Sequence, residues 1–475
     1  IFNHVLLLKM KIAIEGCCHG KLDLIYDKLL KLQEREGIKI DLLLCCGDFQ
    51  AIRDQDDLNC MAVPDKYKEI GSFHKYYSGK EKAPILTIFI GGNHEASNYL
   101  RELGYGGWVA PNIYYIGYCG VVLYGGVRIA GLSGIYNYHN YNKGHFEVPP
   151  FSRDTLRSVY HVRASDLYRM KNLKNQIDIM MSHDWPCGIH RHGNEEKLFQ
   201  MKPFFKEEAD RDQLGCPPAM ELLNILKPCY WFSAHLHCKF SAVYHHGNGL
   251  ITKFLALDKC LPHRGYIQVI DVPSLSSEPP VLKYDLEWLS ILKGTESLMH
   301  YTSRMWNEPD PEHEVPLPSL PEIEKSFDND LTIPLLTIGD FSKEATRIAG
   351  ENPQSRLFCQ RLGIDNPWKL KPSPGREDER KGSGLAITPL SLPPPIHNPV
   401  PYNPDEIFID DIDDDDDDDD DDDKRLKLEE PELSSATPTA NVTVDNNKDD
   451  VATSDGGNNF QDDNKEKEEA EVMQE

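Results

Sequence analysis

Residues 84–95 read PILTIFIGGNHE, and the last five of them decide how the rest of the chain is read. Pro84 to Ile90 is a short apolar run of the kind a fully buried strand produces. A strand that only packs would end in turn residues. Here Gly91 and Gly92 lead instead into Asn93, His94 and Glu95, side chains that bind cations or move protons. Four other apolar runs end in the same way. Lys11 to Ile14 runs into Glu15-Gly16-Cys17-Cys18-His19-Gly20, and Leu42 to Cys45 into Cys46-Gly47-Asp48. Ile177 to Met181 runs into Ser182-His183-Asp184, and Cys229 to Ala234 into His235-Leu236-His237. In open α/β folds ligands bind outside the carboxyl ends of strands, so these ends can converge on one site.

Between the first two runs, Leu22, Ile25, Leu29 and Leu30 recur at helical spacing. Strand and helix patterns alternating in this way predict a layered α/β domain over residues 10–273. Further strands are expected at Gly120–Leu132, Phe254–Leu257 and Tyr266–Val272. Residues 274–382 read as a smaller module, helical over Leu286–Trp306 and again over Phe341–Leu362, with proline-rich connections. Residues 383–475 are proline-rich and then acidic, with an unbroken Asp413–Asp423 run. They cannot bury enough apolar surface to offset the entropy of ordering and are predicted to be disordered.

The net charge of −26 belongs to that tail. Residues 401–475 hold 29 of the 77 acidic and 6 of the 51 basic residues, which leaves −3 for residues 1–400, so the acidity says little about what the body binds. The twelve cysteines are dispersed and form no CxxC pair, unlike the dense framework of a small secreted domain, and point to a reducing compartment. No 18-residue apolar span is present, so no membrane-crossing helix is expected. The opening IFNHVLLLKM lacks the pattern of a secretory signal, and Met10 is the expected native start because the first strand pattern begins there.

Imidazoles, a carboxylate and an amide oxygen make a mixed donor set suited to two divalent ions, Fe(II), Mn(II) or Zn(II). Asp48 can bridge both, and His235 and His237, two apart on an extended strand end, would share a side and each face a different ion. Each cluster alone has a plainer reading. His183 would be a packed or surface histidine, GNHE a tight turn, and Asp48 a cap for the next helix. Their common position and order favour the metal reading.

In that order, GCCHG, CCGDFQ, GGNHEASN, SHDWP, AHLHCKF and TKFLALDKCLPHRGYIQVI, the chain resembles the calcineurin-like metallophosphoesterases and, within them, the lariat debranching enzymes of eukaryotes. The resemblance is strong over Met10–Val272 and looser to about Trp368. It implies an α/β fold, a layered β-sandwich flanked by helices, with a smaller C-terminal module. It also implies that His19, Asp48 and His237 hold one metal, with Cys17 where the broader family has aspartate, and that Asp48, Asn93, His183 and His235 hold the second. A thiolate favours softer ions, so the Cys17 side is the one whose occupancy the substitution puts in question. The implied reaction is hydrolysis of the 2′-5′ phosphodiester at the branch of excised intron lariats. Two ions about 3.5–4 Å apart would clamp the phosphate and supply an activated water. His94 would protonate the leaving ribose oxygen, for which a group titrating near neutrality is needed. Glu95 would orient His94 or cap the next helix.

Gly134 to Phe146 is a polar loop in which rings alternate with amides, and it matches the position of the family's lariat recognition loop, near residues 131–160. Tyr136, Tyr138, Tyr141, Lys143, His145 and Phe146 are the candidates for contact with branched RNA, since unpaired bases stack on such rings. The alternative is a tyrosine-rich loop packed on itself. Arg153, Arg157 and Arg163 would contact phosphates or form an ordinary solvated face. The aspartate run would repel RNA and can recruit a basic protein partner. The nucleus is expected from the family's substrate. Two rivals stay open: a general metallophosphodiesterase of the same fold, and an inactive scaffold.

Overall fold

The structure, a computed structural model, describes residues 8–247, 249–274, 280–310, 315–337 and 351–368. The acidic tail and residues 341–350 of the second expected helical patch lie outside these.

The strands are, in chain order, β1 (Leu8–Glu15), β2 (Leu42–Cys45), β3 (Thr87–Phe89), β4 (Gly107–Ala110), β5 (Ile113–Tyr115), β6 (Cys119–Tyr124) and β7 (Val127–Leu132). They continue with β8 (Ile179–Ser182), β9 (Tyr230–Ser233), β10 (Phe240–His245), β11 (Ile251–Ala256), β12 (Ile267–Ser274) and β13 (Leu282–Tyr284). One sheet has the order β12-β1-β2-β3-β5-β4, the other β10-β11-β9-β8-β7-β6-β13. β1, β2, β3 and β5 run parallel in the first, and β7, β8, β9 and β11 in the second.

Alternation along the strands sorts the side chains into layers. Ile12, Ile14, Leu42, Leu44 and Ile88 share one core with Ile129, Ile179, Met181, Phe232 and Leu255 of the facing sheet. Ala13, Leu43, Cys45 and Phe89 point the other way, onto Leu22, Ile25, Tyr26 and Leu29 of the helix Leu22–Glu36. On the far side, Ala130, Met180 and Trp231 meet the helices Ala164–Lys171, Pro217–Leu226 and Leu286–Thr295. The result is the expected sandwich flanked by helices, in which parallel strands buried on both faces read as continuous apolar runs.

Three departures from the sequence reading have physical causes. The run Gly120–Leu132 is a hairpin, β6 and β7, turned at Gly125 and Gly126, whose φ values of 56° and 82° suit glycine. The edge strand β10 has no clear sequence signal because its alternation is blurred, with Ala242 facing the core and Val243 facing outward. The helix expected over Leu286–Trp306 ends at Thr295. Beyond it, backbone groups bond to the tyrosine-rich loop instead: Gly144 N–H donates to the Thr302 carbonyl (3.0 Å) and Trp306 N–H to that of Asn142 (2.6 Å).

Residues beyond 273 complete the edges of both sheets. β13 pairs with β6, and the Gln354 side-chain amide bonds both the N–H and the C=O of Trp108 on edge strand β4 (2.8 Å each), acting as a strand neighbour. Among the described residues no helix is long and apolar enough to cross a membrane.

Candidate metal centre

The loops after β1, β2, β3, β8 and β9 meet at one rim. Ligand atoms of Cys17, His19, Asp48 and His237 lie within 4.8 Å of one another. Nε2 of His19 is 3.3 Å from Nε2 of His237 and 3.8 Å from Oδ2 of Asp48. The other carboxylate oxygen, Oδ1, faces a second group, 3.3 Å from His183 Nε2, which is itself 3.2 Å from Asn93 Oδ1. His235 stands beside His183, ring centroids 5.0 Å apart. Asp48 therefore lies between the two sets that the sequence predicted for it.

His183 shows why a cation belongs there. Its Nδ1–H donates to the Cys46 carbonyl (2.8 Å), which turns Nε2 toward two oxygen acceptors. Lone pairs that face one another at such distances are reconciled by a proton or a metal ion between them. Burial opposes a charge on this imidazole, but Asp48, the Cys46 carbonyl and Glu95 together outweigh it and raise the pKa above the ordinary histidine value. For Asp48 burial likewise opposes the charge, and His183, His94 and His19 nonetheless hold the carboxyl well below the usual range. His19 is driven the other way, first by burial, and so is neutral, the form that coordinates. Burial also pushes the Cys17 thiol well up, while its sulfur accepts the His235 N–H at 3.2 Å. To serve as a ligand Cys17 would have to release its proton to solvent as an ion binds the thiolate.

The backbone is bent to make this geometry. His19, Asp48, His235 and His237 have φ of 43°, 46°, 63° and 44°, a left-handed region that non-glycine residues enter at a cost and that clusters at functional sites. The expected extended His-Leu-His is therefore not extended. β9 stops at Ser233, and left-handed turns send His237 to one group and His235 to the other. Two glycines permit the close approach: a Cβ on Gly47 would lie 2.2 Å from His183 Nδ1, and one on Gly92 2.1 Å from Asp48 Oδ1.

His94 differs from the ligands. Its backbone N–H donates to Asp48 Oδ1 (2.9 Å), its ring centroid is 5.5 Å from that of His19, and it is half-open to solvent where Asn93, His183, His235 and His237 are buried. Glu95 does not cap the next helix. Its carboxylate accepts N–H bonds from Gly92 (2.9 Å), Phe49 (2.8 Å) and Gln50 (2.9 Å), tying the loop after β3 to the loop after β2. The next helix, Ser97–Arg101, has no side-chain cap. Burial, with Asp48 adding to it, raises Glu95 to a pKa of about 7. Glu15, for which the sequence suggested no role, is fully buried, and burial raises its pKa well above the ordinary carboxylate value.

The tyrosine-rich loop rises from the same rim, with Gly134 N–H donating to the Gly91 carbonyl (2.8 Å). Tyr138 is 75% exposed, whereas Tyr136 and Tyr141 pack edge to face (5.5 Å) against the helical core. Lys143 Nζ donates to Asn140 Oδ1 (2.8 Å), and Phe146 is half-buried. His145 is withdrawn from the surface: buried, stacked on Tyr118 at 3.8 Å, its Nε2 is 2.7 Å from Asp166. Arg163 is no phosphate contact either. Fully buried, it donates to the Asn140 carbonyl (2.6 Å), Glu147 (2.6 Å) and the Ser158 carbonyl (2.8 Å), clamping the loop from below. Arg153 is exposed and Arg157 half-exposed. Pairs such as Arg163 with Glu147 carry no sequence signal, since the partners meet only in the folded loop.

A family model described as calcineurin-like phosphoesterase matches residues 10–239, and one described as lariat debranching enzyme, C-terminal domain, matches residues 250–367. The chain is 52% identical over 377 residues to lariat debranching enzyme A of Xenopus laevis, covering 75% of this chain and 70% of that one. It is 50% identical over 376 residues to the Homo sapiens lariat debranching enzyme, covering 75% and 69%. With the Arabidopsis thaliana lariat debranching enzyme it shares 47% over 411 residues, covering 85% and 96%. The fold, the paired ligand sets and these relatives lead to one conclusion: the chain belongs to the lariat debranching enzymes, metal-dependent phosphodiesterases of the calcineurin-like class.

Proposed function

We propose that this chain opens branched intron RNA by hydrolysing the 2′-5′ phosphodiester, and that Asp48 is the hinge of the site that does so. The observation that carries the reading is the placement of two ligand sets on either side of Asp48, Cys17-His19-His237 and Asn93-His183-His235, at the root of the loop bearing Tyr138. Divalent ions held there would neutralise charge at phosphorus and bring a water to a pKa of about 7. The nitrogen, oxygen and sulfur donors suit Fe(II) first, with Zn(II) or Mn(II) as alternatives. Asn93 holds its amide oxygen toward His183 within the second set. His94, anchored by its main chain to Asp48 but open to solvent, gives its proton to the ribose oxygen as the bond breaks. Glu95 accepts the Gly92 N–H and so braces the loop that carries His94. Branched RNA enters along the tyrosine-rich loop. The reading places the chain in the nucleus, where intron lariats are released, and assigns the acidic tail a basic protein partner.

The test is cleavage of a branched RNA carrying one 2′-5′ bond beside its linear 3′-5′ isomer, under anaerobic conditions with Fe(II) or Mn(II). Selective loss of the branch is expected. Equal cleavage of both isomers would leave a general phosphodiesterase, and cleavage of neither a scaffold.

A further inference from the structure

Most cations around the site are already engaged by the protein. Arg53 pairs with Asp57 (2.6 Å), Arg163 with Glu147 (2.6 Å), Arg101 with the Glu147 and Trp368 carbonyls, and Lys143 with Asn140. Lys259 is different. It lies just after β11 in the segment Asp258–Tyr266, which is sewn to the first metal loop: Gly16 N–H donates to the Tyr266 carbonyl (3.1 Å), Cys17 N–H to that of Asp258 (3.3 Å), and Cys260 N–H to that of Cys17 (3.1 Å). Lys259 stands opposite Cys17 in a parallel bridge. The adjacent carboxylate, Asp258, accepts from the Lys259 backbone N–H (2.7 Å) and lies 3.6 Å from Arg264. Among the described residues the Lys259 ammonium has no ion-pair partner, and the side chain is half-buried rather than enclosed.

We propose that Lys259 binds a substrate phosphate adjoining the branch, at the edge of the Cys17 side of the centre. The inference rests on the branched-RNA reading above. An ammonium on a flexible stem is a point charge with three donors that can follow a phosphate without fixed geometry. A backbone phosphate next to the scissile one supplies the missing anion. The β-bridge to Cys17 sets the distance between that phosphate and the metal loop.

The test compares the Lys259→Gln and Lys259→Arg enzymes with the unsubstituted one, all metal-loaded, on branched RNA and on bis(p-nitrophenyl) phosphate, a diester with no neighbouring phosphate. For Lys259→Gln the expected result is a KM for branched RNA raised about tenfold, with kcat changed less, and a salt dependence shallower by about 0.7 in the log–log slope, one single-strand phosphate contact. The loss should be smaller on the minimal diester, and Lys259→Arg should restore most of the affinity. Metal content separates this from a structural role, which would lower it. An unchanged KM and salt slope, or equal losses on both substrates, would overturn the proposal. Failure of the unsubstituted chain to cleave branched RNA would overturn the reading beneath it, and the proposal with it.

Discussion

The metal centre and the tyrosine-rich loop sit on the same rim but are built on opposite plans. In the centre, residue types that the protein interior normally avoids are buried and turned toward one another, on a backbone whose φ values are left-handed at His19, Asp48, His235 and His237. In the loop, residues chosen for their surface chemistry are mostly turned inward: Tyr136 and Tyr141 pack on the helical core, His145 stacks on Tyr118, and Tyr138 alone of the three tyrosines stands out in solvent. The strain of the first plan is sustained because glycines at 47 and 92 leave no Cβ in the way. The second plan needs a framework, and Arg163 and Glu147 supply it from below. The cradle thus gathers its polar groups inward, while the loop leaves few of its rings exposed.

The sharpest way to break the contrast is to remove the one histidine of the cradle that stands apart from the ligand sets. If His94 transfers a proton and holds no metal, His94→Ala should lower kcat on branched RNA by about 10²–10⁴-fold, the usual worth of a general acid. Bound metal, measured by atomic emission, should be unchanged, because Asp48 accepts a bond from the His94 backbone, which alanine keeps. Loss of metal along with activity would place His94 among the ligands and erase its distinction from His183.

The loop's framework can be tested through two of the three arginines that the sequence did not distinguish. Arg163 and Glu147 are both buried and 2.6 Å apart, so Arg163→Ala strands a carboxylate in the interior and should cost about 3–5 kcal/mol in urea unfolding. Arg153→Ala, at the exposed start of the helix Arg153–Ser158, should stay within about 0.5 kcal/mol. Similar effects from both would mean that the rings hold the loop without the arginine.

These differences also explain what was legible beforehand. Cys17, His19, Asp48, Asn93, His183, His235 and His237 come directly after apolar runs, and buried parallel strands deliver the residues at their carboxyl ends to one edge. The layered fold was legible for the same reason, its strands being short apolar runs between helical patterns. The left-handed turns that bring about the division into two ligand sets were not legible, because φ depends on what surrounds the backbone. The same holds for the partners of Glu95. Its side chain was read by its neighbour in sequence, His94, but it bonds N–H groups of Phe49 and Gln50, which the fold brings across from β2. His145 and Arg163 failed as surface residues because amphipathic side chains serve equally in a polar loop and in the network beneath one.

The smallest expected effect tests what the loop leaves for RNA. Tyr138 is the exposed ring, so if the loop recognises unpaired bases by stacking, Tyr138→Ala should weaken binding of branched RNA by about 1–3 kcal/mol, and Tyr138→Phe by much less. Binding to the cleavage-blocked His94→Ala chain, measured by fluorescence anisotropy, separates affinity from turnover. Because no charge is removed, the salt dependence should keep its slope. A loss as large in Tyr138→Phe would move the contact from the ring face to the hydroxyl. Full affinity in Tyr138→Ala would mean that the loop shapes the entrance and that affinity comes from charge around the metal centre.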